Sequence, residues 1–90
     1  MSDLEGPLLS LRNDLHIAVG RFIDDNERAE RARRSILKIN NFLAGEDVTG
    51  TNDQVTDIRT SSEQLAPVTA GQNGKFDNAM ASVEAALGGL

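Results

Sequence analysis

Cysteine, tryptophan and tyrosine are absent from this chain of 90 residues, and its aromatic side chains are Phe22, Phe42 and Phe76. Without thiols there is neither a disulfide framework nor a thiolate metal site, and the redox compartment stays open. So few aromatics argue against a stacking platform for single-stranded nucleic acid and against an aromatic-lined ligand pocket. Nowhere do eighteen apolar residues run together, so no membrane span is expected. The N-terminal MSDLEGPLLSLRND carries acids where a secretory signal has its basic region. A soluble, acidic protein is expected, cytoplasmic by default for want of a Sec-type signal, with signal-independent secretion or a place in a virion left open.

What the chain has is a long apolar stripe. Leu4, Leu8, Leu11, Leu15, Ala18 and Phe22, then Ala29, Ala32, Ile36, Ile39 and Leu43, recur at alternating steps of three and four. That is the spacing of a coiled-coil seam, interrupted by the polar Asp25. Gly6-Pro7 suits a helix entry and Gly45 a C-terminal cap, so a single helix is expected from about Pro7 to Ala44, roughly 55 Å long at 1.5 Å per residue. Residues 45–51 form a loop, and Thr51-Asn-Asp-Gln54 has the form of a capping box opening a second helix over about 52–66. A break follows at 67–74, where Pro67 and an Asn-Gly pair fall, and a last helix is expected over about 75–87.

The fold class is therefore all-α, a single helical domain over residues 1–90. The layout is an antiparallel, coiled-coil-like helical hairpin whose second arm is kinked or broken near Pro67, or alternatively a three-helix bundle. Pairing residues whose numbers sum to 94 sets Ile36 opposite Ile58, Ala32 opposite Ser62, Ala18 opposite Phe76 and Asp25 opposite Thr69. Small residues then face large ones, as close packing demands.

The stretch ERAERARRS, Glu27 to Ser35, is dense in arginine although the net charge is −5. On a helix Asp24 precedes Arg28 by four residues, Glu27 precedes Arg31 and Glu30 precedes Arg34, the favourable order for intrahelical pairs. Between Arg21 and Lys38 six bases meet four acids, and residues 45–90 hold seven acids against two bases. Nucleic-acid binding needs uncompensated cations on one face, so the cluster reads as a solvated helix surface with no nucleic acid for a partner.

Chemistry is sparse. His16 is the single histidine, and no cysteine or motif-placed serine accompanies it. Glu46-Asp47 and Asp53-Asp57 lack calcium-loop spacing and read as acids favourable at the start of the second helix. GQNG at 71–74 is not a phosphate loop. No catalytic, cofactor-binding or metal-ligating residue is expected, no cofactor is implied, and the chain does not read as an enzyme.

A chain this short buries little apolar surface relative to its ordering entropy, which favours association. The function expected is a small helical protein–protein interaction or assembly module, a homo-oligomer or a part of a larger assembly. Leu9, Ile17, Val19, Ile23, Leu37 and Phe42 lie beside or off the seam and are the expected partner interface. The alternative is a secreted or virion-associated helical structural component. In length, central loop and hairpin layout the chain resembles the WXG100 secretion proteins. Gly45 to Thr51 stands in place of their Trp-x-Gly turn, and the C-terminal Tyr-x-x-x-Asp/Glu signal does not occur.

Overall fold

A computed structural model describes residues 2–45, 48–68 and 72–90. The chain is all-α, as its periodicity implies. Four helices form among the described residues: α1 (Glu5–Arg21), α2 (Asn26–Ala44), α3 (Asn52–Leu65) and α4 (Asn73–Gly88). Two short strands, β1 (Ser2–Asp3) and β2 (Thr49–Gly50), pair antiparallel and tie the start of α1 to the start of α3. The Leu4 amide extends this tie by donating to the Val48 carbonyl at 2.6 Å.

The single helix expected from Pro7 to Ala44 is not formed. It is broken at residues 22–25, and a 55 Å rod has no place in a molecule measuring 39 × 21 × 17 Å. Asp25 is the cause. A lone carboxylate in an apolar seam is costly to bury, whereas an aspartate is among the best helix N-caps. Here its side chain accepts from the Arg28 amide at 3.1 Å and opens α2. Phe22 closes α1, its amide still bonded to the Ala18 carbonyl, and the chain reverses through Ile23 and Asp24. The long hairpin on which the likeness to WXG100 proteins rests is thereby replaced by four shorter helices.

The other junctions follow local chemistry closely. Thr51 and Gln54 form the reciprocal capping box: the Thr51 hydroxyl accepts from the Gln54 amide at 3.1 Å, and the Gln54 side chain accepts from the Thr51 amide at 2.8 Å. Helix α3 ends at Leu65, two residues before Pro67, which cannot continue it. Gly45 caps α2 with φ −73°, so its use there is not the left-handed conformation. Glu46, Asp47, Thr69 and Gly71, which carry some of the loop-acid, register and glycine readings, lie outside the described residues.

Helix α1 packs on α2 and on α3, and α4 packs on α3 and on α2. The pairs α2/α3 and α1/α4 are thus diagonal across the bundle. That overturns the register summing to 94, which makes α2 and α3 face each other. Ser62 meets Asp14 of α1 instead of Ala32, its hydroxyl donating to the carboxylate. Since α1 and α3 start together at the strand pair and meet again at Asp14 and Ser62, they run parallel. Helices α2 and α4 are likewise parallel, joined from Arg28 and Asp77 to Arg31 and Glu84.

The two halves share one plan. N-cap Leu4 corresponds to N-cap Thr51 and Asp25 to Gln72, each forty-seven residues apart, and buried Leu8, Leu11 and Leu15 correspond at the same spacing to Val55, Ile58 and Ser62. Each half is a strand followed by a helical pair, and the core lies where the pairs meet. Most of the seam is in that core, with Leu8, Leu11, Leu15, Ile39, Ile58, Phe76 and Val83 fully buried. Toward the C-terminus the inward face rotates: Met80 and Leu87 are buried, while Leu90 is exposed.

Candidate interaction surface

The arginine cluster is not a set of local ion pairs on a solvated surface. Arg28 makes a two-pronged contact with Asp77 of α4, through Nε at 3.0 Å and Nη2 at 2.8 Å, and its third nitrogen reaches Asp25 at 2.7 Å. Arg31 grips Glu84 in the same way at 3.3 and 2.7 Å and touches Asp77 at 3.4 Å. Both arginine side chains are about a quarter exposed. The expected pairs of Asp24 with Arg28, Glu27 with Arg31 and Glu30 with Arg34 do not form among the described residues; Glu30 meets Arg33 at 3.7 Å. The physical reason is geometry: a guanidinium fork matches a carboxylate two bonds at a time, and α4 presents carboxylates at the right height. The cluster is a clasp between α2 and α4.

The clasp tunes its members. The hydrogen bond from the Arg31 side chain holds the Glu84 carboxyl below its ordinary value of 4.5, and that from the Arg28 side chain holds Asp25 below 3.8. Asp77 raises Arg28 and Glu84 raises Arg31, so both stay charged. A carboxyl with a depressed folded-state value contributes stability that is complete above its unfolded value and is lost as pH falls through the folded one. Urea midpoints are therefore expected to decline once pH drops below about 4.5, and Glu84→Gln should remove part of that decline. Identical midpoints from about pH 7 to about pH 2 would show that the clasp is energetically idle.

The six residues expected at a partner interface separate into two groups. Leu9 is 38%, Ile17 46%, Leu37 59% and Ile23 71% exposed, whereas Val19 and Phe42 are partly buried and pack against the core. Leu9 lines a groove of about 300 Å³ between α1 and α2 with Arg12, Asn13, His16 and Asn40. Leu37 lies three residues before Asn40 and so on the same side of α2. Ile17 lines a different, smaller recess between α1 and α3 with Asp14, Arg21 and Leu65, among others. Ile23 stands at the turn between α1 and α2.

His16, exposed on α1, is one wall of the α1–α2 groove, with Arg12 four residues before it. Arg12 donates to the Asn40 side-chain oxygen at 2.7 Å, stitching α1 to α2. Neither Arg12 nor Asn40 stands out in the sequence, because their meeting depends on the turn at 22–25. A second groove of about 330 Å³ runs between α3 and α4, lined by Asp57, Thr60, Ser61, Ser82, Ala85 and Ala86. Ser61 closes its floor, donating to the Asp57 carbonyl at 2.9 Å and approaching the Ser82 carbonyl at 3.2 Å. Among the described residues no group of three His, Cys, Asp or Glu is placed to hold a metal ion, and no helix is long and apolar enough to cross a membrane.

No protein-family model, curated protein or solved structure matches the chain.

Proposed function

We propose that the chain is a small helical assembly module, whose work is to join protein surfaces rather than to carry out chemistry. The observation that supports this reading is the set of large aliphatic side chains left in solvent, Ile23 and Leu37 above all, on a bundle whose interior is already filled. Single exposed aliphatics are ordinary on a protein surface. These are unevenly distributed: apart from Leu90, all of them belong to the first helical pair. The residues forty-seven positions after Leu9, Ile17 and Leu37 are Thr56, Gln64 and Glu84. Leu9 and Leu37 share the α1–α2 face, with Ile23 at the turn beside it and Ile17 bordering the α1–α3 recess. Apolar side chains gathered on one helical pair are the character of a docking region. The turning of Arg28 and Arg31 toward α4 carboxylates also favours protein over nucleic acid, since it withdraws cations from phosphates.

Replacing Ile23 and Leu37 together by serine tests the reading. Both side chains are mostly solvated, so folding stability should change by less than about 1 kcal/mol. Association measured by light scattering or against a bound partner should weaken at least about tenfold. Unchanged association with unchanged stability would leave the exposed aliphatics without a role and overturn the proposal.

A further inference from the structure

We infer that the partner of the α1–α2 surface is a second copy of this chain, which presents its α3–α4 groove, so that copies join head to tail through Arg12 of one and Asp57 of the next. This deepens the assembly reading and rests on it. Helices α1 and α2 form one side of the bundle and α3 and α4 the other. The two grooves therefore lie on opposite faces.

Their charges are complementary and unspent. Among the described residues Arg28, Arg31 and Arg33 have carboxylate partners and Arg21 donates to the Val68 carbonyl. Arg12, like Arg34, Lys38, Arg59 and Lys75, has no carboxylate in ion-pair range among the described residues, but it is held in its groove by donating to the neutral Asn40 side-chain oxygen. On the opposite face the Asp57 carboxylate likewise has no cation in ion-pair range among the described residues; it is the Asp57 backbone carbonyl that Ser61 bonds. An arginine held in place by Asn40 is a prepositioned donor for a carboxylate, and its remaining N–H groups are directed by that bond.

Shape agrees with charge. Leu9 and Leu37 stand out from the α1–α2 face, and the α3–α4 groove has low walls of alanine and serine that leave room for them. Pairing of like faces would not bring Arg12 to Asp57, since the two residues line grooves on opposite faces. The contact is heterologous: each copy uses both faces, and association continues into a ring or a filament rather than stopping at a two-fold dimer. A molecule 39 Å long and 17 to 21 Å wide offers a face on the order of the ~800 Å² a side found in specific interfaces.

Charge reversal of the two residues separately and together decides the matter, read by sedimentation velocity with far-ultraviolet dichroism as a check on folding. Wild type should form elongated oligomers that grow with concentration. Arg12→Asp and Asp57→Arg should each remain monomeric. An equimolar mixture of the two variants should regrow oligomers in which the variants alternate, since Arg12 of one meets Asp57 of the other and the two introduced side chains form the reversed pair. The double variant Arg12→Asp/Asp57→Arg should associate again. Should Arg12→Asp disturb folding, Arg12→Gln provides the milder test, with association weaker by on the order of tenfold. Oligomers of wild type that neither single variant alters would overturn this docking mode and leave the assembly reading intact. A mixture that forms no complex, or a double variant that stays monomeric, would overturn the head-to-tail geometry. Wild type that stays monomeric at millimolar concentration would overturn self-docking altogether, while Ile23 and Leu37 would still be tested against a different protein by the serine variants.

Discussion

Phe76→Ala is expected to remove most of the protein's folding stability at 25 °C. Phe76 is fully buried in the first turn of α4, and its ring lies 4.3 Å, centroid to centroid, from that of Phe22 at the end of α1. The pair joins diagonal helices at the end of the bundle where α1 turns into α2. Truncating a buried phenylalanine costs roughly 3–5 kcal/mol, transfer and cavity terms together. Small domains have total stabilities toward the lower end of about 5–15 kcal/mol. The change therefore consumes most of what is available. Helical dichroism and urea titration would show it, with Phe42→Ala as the comparison, because Phe42 is only partly buried and its loss should be milder. A Phe76→Ala midpoint within about 1 kcal/mol of wild type would mean that the Phe22–Phe76 contact is not part of the folded core.

Gly50→Val should be the next most damaging change, although Gly50 lies outside every helix. A β-carbon there would sit 2.5 Å from Leu4 Cδ1, 2.9 Å from Leu4 Cγ and 2.7 Å from Gln54 Oε1. Leu4 is 1% exposed, so it cannot swing aside without leaving the core. Gln54 cannot move without releasing the Thr51 amide from the capping box. Overpacking costs of about 1–3 kcal/mol combine with part of a cap worth about 1 kcal/mol. The strand pair between β1 and β2 should loosen with them, seen as faster hydrogen exchange at the Leu4 amide. Gly20→Ala is the opposite case. Nothing lies within 4 Å of the added carbon, inside α1, and helix propensity should raise stability by up to about 1 kcal/mol. Equal effects from the two substitutions would contradict this account of Gly50.

The inward face of the molecule was legible in the sequence and its path was not. Leucines at steps of three and four must be buried on one side of a helix wherever that helix goes, which is why Leu8, Leu11, Leu15, Ile36, Ile39 and Ile58 are all in the core. Asp25 carried two readings, a flaw in a long seam or the cap of a new helix. The periodicity runs through residues 22–25 in phase, so spacing alone could not separate them. The decision lies in the core: four short helices bury the stripe on itself, whereas a rod leaves half of it in water. The arginine pairings failed for a related reason. Spacing of four residues favours Glu27 with Arg31 by a few tenths of a kcal/mol, and a bidentate partner on a neighbouring helix outcompetes it. Exposure of Leu9, Ile17, Ile23 and Leu37 follows from their being off the seam, while Val19 and Phe42 pack on the core because flanking positions of a four-helix bundle also meet neighbours. The Arg12–Asn40 bond and the two grooves depend on which helices are adjacent, and pairing of helices is a property of the whole chain.

Association through the α1–α2 surface is open to direct observation by methyl NMR over a dilution series. Isoleucine and leucine methyls report on both surfaces of each helix in one spectrum. Between about 10 μM and about 1 mM, a range that spans affinities of roughly −4 to −7 kcal/mol, the methyls of Leu9, Ile23 and Leu37 should shift and broaden with concentration. Those of Leu8, Leu11 and Leu15, one or more positions away in sequence but inside the core, should hold still. Invariant Leu9 and Leu37 signals across the whole range, or shifts centred on the core leucines instead, would contradict an assembly module that works through this face.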